Sequence, residues 1–193
     1  MGTAHTQTAI AVMKAALWSS VLAVALTGCF ASRPPDNVGF GTASALQELA
    51  GTYQNLGESK EPGPYLSAII WPSDTNLPHW SIRTISVRAI GDTALAVRAL
   101  GDSGVVKEGV FVSGKDFQFT HGRLRLRTKV ENSLNTPEAG GLFVAWTTLE
   151  LGFDKKGQGK LKKGETVVGA AYLVVRLAVT SSTEVRFVRL GEP

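Results

Sequence analysis

The chain has 193 residues, 44% of them apolar, and its 20 Lys and Arg against 16 Asp and Glu give a formal charge of +4. That length suits one domain with a self-sufficient core, and so mild a positive balance is no footprint for nucleic acid. A single cysteine excludes an internal disulfide.

The N-terminal part carries the most specific pattern. Ala15 to Leu26 is an apolar run broken only by Ser19 and Ser20 and preceded by Lys14. A positive start, a short apolar middle and small residues at its end are the plan of a secretory signal peptide. The run falls short of the roughly 20 apolar residues that a helix needs to cross a bilayer. It ends in Leu26-Thr27-Gly28-Cys29, which contains the only cysteine. This tetrapeptide resembles the lipobox of bacterial lipoproteins. The resemblance implies removal of residues 1–28, a diacylglycerol on Cys29, and a membrane partner held through that anchor. Two or three acyl chains hold a protein stably where one binds marginally. A cysteine spent on lipid leaves none for a metal site or for catalysis. Met13-Lys14 is itself a well-formed signal-peptide start, so translation from Met13 is expected as readily as from Met1.

Residues 29–44 read as the lipidated cysteine and a flexible tether, because Pro34 and Pro35 block regular structure and Gly39 and Gly41 loosen the chain beyond them. Phe30 stands where enteric lipoproteins retained in the inner membrane tend to carry aspartate. That favours the periplasmic face of the outer membrane. Residues 45–193 form the expected domain. It opens with a short helical turn over Ser44 to Leu49, capped by Ser44 and helped by Glu48.

The remainder speaks of strands. Thr52 to Leu56 is the first. The segment from Glu58 to Trp80 is punctuated by Pro62, Pro64, Pro72 and Pro78 around an apolar island, Tyr65 to Trp71, which is a short helix or a buried corner. A hairpin about Gly91-Asp92-Thr93 pairs Ile90 with Ala94, Ala89 with Leu95 and Val87 with Val97. Val105 to Val112 is the next strand. Beyond it, Lys115 to Thr120 and Arg123 to Val130 flank His121-Gly122, a two-residue turn that pairs Phe119 with Leu124, Phe117 with Leu126 and Asp116 with Arg127. Leu142 to Leu151, Val167 to Val179 and Thr183 to Leu190 complete the set. The fold class is therefore mainly β. It is a single antiparallel up-and-down barrel or a β-sandwich of about eight to nine strands, with a short N-terminal helix.

Leu46-Gln47-Glu48-Leu49-Ala50-Gly51-Thr52-Tyr53 resembles the opening of lipocalins, where a helical turn leads into Gly-x-Trp at the first strand; Tyr53 takes the tryptophan's place. The resemblance implies a closed barrel around a small apolar molecule such as a fatty acid, with Arg186 or Arg189 packed across the Tyr53 ring. A narrow barrel filled by its own side chains is the competing expectation. The start of the chain also looks like uncharacterised proteobacterial envelope lipoproteins. Tyr53, Trp71, Trp80 and Trp146 are the candidate ligand contacts, with the tryptophans otherwise placed in the core or at the rim.

Other motifs are less specific. Gly101-Asp102-Ser103-Gly104 matches the nucleophile tetrapeptide of chymotrypsin-like proteases, but His79 lies too close upstream and lacks that family's surroundings, so an ordinary turn is expected. Asp154 to Lys160 hints at a calcium loop, yet lysines occupy the ligand positions. His79 and His121, without acidic neighbours, make a poor metal site, and no metal or cofactor is expected. Arg123, Arg125, Arg127 and Lys129 on one strand, and Lys155, Lys156, Lys160, Lys162 and Lys163 in one expected loop, are candidates for contact with an anionic surface. The expected function is non-enzymatic: a lipid-anchored envelope protein that binds a small apolar or amphiphilic ligand. The alternative is a scaffold lipoprotein that binds another envelope protein through its surface.

Overall fold

The structure, a computed structural model, describes residues 30–32, 34, 36, 38–59, 63–126, 130–131, 141–171 and 175–191. Cys29 with the whole preceding segment, Arg127 and Lys129 lie outside the described residues. The chain divides into Met1–Phe30 and Ala31–Pro193, and the fold belongs to the second unit.

The strands are β1 (Phe30–Ser32), β2 (Gly51–Gln54), β3 (Ile82–Ile90), β4 (Ala94–Gly101), β5 (Gly104–Val112), β6 (Phe117–Thr120), β7 (Arg123–Leu126), β8 (Val130–Glu131), β9 (Gly141–Phe153), β10 (Gly159–Ala171), β11 (Val175–Phe187) and β12 (Arg189–Gly191). They make two antiparallel sheets. A five-stranded sheet has the order β12-β2-β3-β4-β5, and a seven-stranded sheet has the order β1-β11-β10-β9-β7-β6 with β8 beside β9. Neighbours in sequence are mostly neighbours in space, as short connections dictate.

Both expected hairpins keep their register: Ile90 with Ala94 and Val87 with Val97 in one, Phe119 with Leu124 and Phe117 with Leu126 in the other. At the second turn His121 and Gly122 take φ of 54° and 71°, the left-handed pair that matches strand twist. A Cβ on Gly122 would also stand 2.5 Å from the Ala43 nitrogen, so glycine is required there twice over.

Of the two expectations for the apolar island, the helix holds, as α1 (Leu66–Ile70). Two other expectations are corrected. The opening turn is a 3₁₀ turn over Leu46–Leu49. Its free N–H groups at Ser44 and Ala45 donate to the Glu48 carboxylate at 2.9 and 3.2 Å, so Glu48 rather than the Ser44 hydroxyl caps it. The single strand expected over Val167 to Val179 is two strands, β10 and β11, while Thr180-Ser181-Ser182, expected as a break, runs straight through β11 paired with Thr166, Glu165 and Gly164. Those β-tolerant residues have a complete ladder partner, and a ladder outweighs weak local turn preference.

The core lies between the sheets. Ile85, Leu95, Val97 and Ala99 from the five-stranded sheet face Phe117, Leu161, Val185 and Phe187 from the other. Alternation along each strand sends Arg88, Arg98 and Glu108 outward. Asn55, fully buried, ties α1 to this frame. Its Oδ1 accepts from Ser67 N at 2.8 Å, and its Nδ2 donates to the carbonyls of His79 and Ile82 at 2.8 and 3.0 Å. One side chain thus links the start of α1 to the turn that leads into β3.

Candidate functional site: the cavity between the sheets

The sheets do not fill the space between them. A cavity of about 370 Å³ remains, within the 300–1,000 Å³ range of small-molecule sites. Its walls are Val87, Val97 and Phe111 on one side and Leu124, Leu126 and Leu149 on the other, with Leu66, Ile69 and Ile70 of α1 and Leu49 of the 3₁₀ turn closing over it. Each wall residue comes from the inward set of its strand, so the alternation that builds the core also makes the lining apolar. Polar groups are few. Lys115 and Asp116 from the β5–β6 turn border the cavity, and Asp116 is held by Val112 N, which donates to its carboxylate at 2.8 Å.

Tyr53 lies buried at this cavity, its hydroxyl donating to the Leu49 carbonyl at 2.9 Å. Burial raises the phenol above its ordinary value, and the charge of Arg189 pulls the other way. Of the two arginines considered for the Tyr53 ring, Arg189 is the near one, its guanidinium carbon 5.9 Å from the ring centre, and it also donates to the Ala50 carbonyl. Arg186 instead binds Asp36 and Glu58, at 2.6 and 2.7 Å. Gly159 borders the same spot. A Cβ there would meet Tyr53 Cδ1 at 2.9 Å, so the ring closes down on bare backbone.

The other ligand-contact candidates lie elsewhere. Trp71 packs half-buried against Phe111, ring centres 6.1 Å apart. Trp80 is 75% exposed on a 3₁₀ turn. Trp146 sits on β9 opposite Thr166 and Val130. Sequence reasoning missed the aliphatic wall, whose only signal was the inward alternation of β3, β4, β7 and β9.

Among the described residues, several of the candidate cations are engaged with partners inside the domain. Arg123 and Arg125 converge on Glu150, at 3.3 and 2.9 Å. Burial would raise the Glu150 carboxyl, but the hydrogen bonds from Arg125 and Arg123 outweigh it and hold the group below its ordinary value. Lys155 is exposed and Lys156 approaches Asp36 at 3.7 Å. Lys160, Lys162 and Lys163, expected in a loop, belong to β10, because the turn before it spans only the few residues after Asp154. There Asp154 accepts from the backbone of Lys156 and Gln158 at 2.8 and 3.0 Å, which closes the turn early. Lys160 is buried, its ammonium shared between Glu184 at 2.9 Å and the Val38 carbonyl at 2.7 Å. The segment expected as a tether is laid along this sheet: Asp36 on Arg186, Val38 on Lys160, and Phe40 bridged to Asp154 with Arg123 stacked 4.2 Å over its ring.

Asp102 and Ser103 occupy an exposed turn, where Arg83 binds Asp102 at 3.1 Å. His79 Nδ1 is bonded to the buried Ser67 hydroxyl at 2.9 Å rather than to Ser103. Among the described residues there is no group of three His, Cys, Asp or Glu side chains placed to hold a metal. No helix among them is long and apolar enough to cross a membrane. Fold and cavity together define a two-sheet antiparallel β-domain with an apolar chamber under a short helix. No family model, curated protein or solved structure matches the chain.

Proposed function

We propose that this protein is a non-enzymatic, lipid-anchored protein of the bacterial envelope that holds a small apolar or amphiphilic molecule between its sheets. The observation that carries the reading is the cavity of about 370 Å³ with apolar, mostly aliphatic walls and a Lys115–Asp116 border. An apolar chain would gain about 25 cal/mol for each Å² withdrawn from water, while a polar head could stay at that border. The lipobox-like Leu26-Thr27-Gly28-Cys29 supports location at a membrane, and Phe30 after it supports the outer one. The finer architecture belongs to the same reading. We take the two sheets as walls of one lipocalin-like up-and-down barrel rather than as a sandwich, because β11 passes to β12 across Val188 alone. A bridge from Ser113 to Phe117 links the β5 and β6 ends. The Tyr53–Arg189 approach supports the lipocalin resemblance at the position where it was expected.

The test is binding of a fluorescent fatty-acid probe to the full chain and to Leu126→Trp, which fills the chamber from one wall. Saturable binding by the natural protein, weakened about tenfold or more in the variant at unchanged melting temperature, is expected. Equal binding or none would sink the carrier reading. The scaffold alternative would then stand on the outer face of β3–β4–β5, where Ile90, Val110 and Val112 are 44, 60 and 39% exposed around Ala94 and Ala96.

A further inference from the structure

Four strands stand at the ends of the two sheets, and three of them are short: β1, β6 and β12 run for three or four residues, whereas β5 runs for nine. Short edges are one way in which β-proteins avoid pairing with other chains. Among the described residues β5 has β4 on one side and no strand on the other. Its outward Val110 and Val112 are 60 and 39% exposed.

The backbone tells which groups of this edge are open. The Val112 N–H donates to the Asp116 carboxylate at 2.8 Å, and the Val112 carbonyl accepts from the N–H groups of Lys115 and Asp116 at 3.2 and 2.9 Å, so both groups of Val112 point away from β4. In an antiparallel ladder alternate residues turn to the same side. The pairs Ala94–Val112, Ala96–Val110 and Arg98–Glu108 follow one another without a shift. The N–H and C=O of Val110 and Glu108 therefore lie on the same edge, where no other described segment bonds them. This open stretch is closed at both ends. The β5–β6 turn occupies Val112, and a bulge at Val106, between the pairs Ala99–Lys107 and Leu100–Val105, interrupts the strand on the other side.

Val106 and Val112 each lie three residues from Gly109, so the open edge is symmetric about that glycine. A second copy laid antiparallel and centred on Gly109 sets Glu108 of each chain opposite Val110 of the other. Each such pair exchanges two hydrogen bonds, and every open group is used. Centring on Glu108 would put two carboxylates face to face, and centring on Val110 would run Glu108 against the occupied Val112. At the axis the two Gly109 residues form the close pair of the ladder, with Cα atoms about 4.5 Å apart. A Cβ on Gly109 would already lie 3.5 Å from the Trp71 indole nitrogen, so glycine keeps the axis clear. The seam also brings in no bare charge, because Glu108 binds Arg98 at 3.3 Å and Lys107 binds Asp74 at 2.8 Å.

We propose that two copies of this chain pair through β5, antiparallel and centred on Gly109, which joins their five-stranded sheets into one continuous sheet. The paired stretch, Lys107 to Phe111, is small beside the interfaces of permanent dimers. The dimer is therefore a weak one whose population rises with local concentration.

Full-length chains carrying Glu108→Cys or Val110→Cys are made singly and together, against a background in which Cys29 is the only other thiol, and are oxidised with diamide in the cells that make them. Residues facing each other in a hydrogen-bonded pair have Cα atoms about 5.5 Å apart, within disulfide reach, whereas the same residue on the two copies is diagonal at about 7–8 Å. The mixed disulfide should exceed either single-variant dimer about fivefold or more, with unchanged melting temperatures verifying the fold. Equal yields, or crosslinks to another protein alone, overturn the proposal. A second measurement needs no cysteine. Sedimentation of the natural full chain in detergent should show a dimer that grows with concentration, and Val110→Glu, which sets like charges opposite each other twice, should raise the dissociation constant about fivefold or more. A natural chain that is monomeric at every concentration, or a dissociation constant that Val110→Glu leaves unmoved, overturns it as well.

Discussion

The two ends of β9–β10–β11 share strands, ladder and pairing, yet behave as different materials. At the base, Phe153–Gly159–Phe187 and Leu151–Leu161–Val185 are roofed by the opposite sheet, and Leu161, Val185 and Phe187 are at most 2% exposed. Toward the far end, Val144, Val168 and Val179 are 43, 40 and 48% exposed. Hydrogen bonding along the ladder is the same in both places, so pairing does not decide what is core. The second layer does, because hydrophobic stabilisation scales with area removed from water. The three strands tie together a region that holds the fold and a region whose described valines stay partly exposed.

The sharpest way to break this comparison is to truncate at the base. Phe187→Ala should cost about 3–5 kcal/mol in denaturant unfolding, the range for a large aromatic lost from a close-packed site; a cost below about 1 kcal/mol would mean the roof does not seal the base. A smaller effect is expected from acid at the charged row between the ends. The Glu150 carboxyl is held below its ordinary value of 4.5, so its contribution to stability is complete above about pH 4.5 and is lost as pH falls through the lowered value. Arg125→Ala removes one of its two donors and should flatten the loss of stability measured between neutral pH and that acid range. An unchanged acid profile would show that the pair is screened to nothing. The smallest effect belongs to the far end. Val168→Thr keeps the β-branch and should leave unfolding within about 0.5 kcal/mol, and a larger loss would place that valine under an unseen roof.

Much of the fold was legible because hairpins are local. Gly91 and His121-Gly122 mark turns by backbone preference, and alternation on either side leaves one register that buries a single face. The reversal between β10 and β11 was hidden for the converse reason. Tyr172-Leu173-Val174 contains no turn-forming residue, whereas Thr180-Ser181-Ser182 imitates one. Tyr53 was found through its place after Gly51. The aliphatic walls of the cavity were not, since an inward valine that lines a void and one that fills it have the same neighbours in sequence. Lys160 shows the limit most plainly. Among five lysines in a short stretch it reads as solvated, and only Glu184, 24 positions on, together with Val38, makes a buried ammonium tolerable.

By itself, then, the sequence determined the β class, the two hairpin registers, the polar turns and the lipobox-like start, all properties carried by neighbours a few residues apart. Only the tertiary structure decided which apolar faces are roofed, where the space between the sheets stays open, and which cations are spent on internal partners. Each of those depends on contacts between segments tens of residues apart, for which local preference supplies no energy.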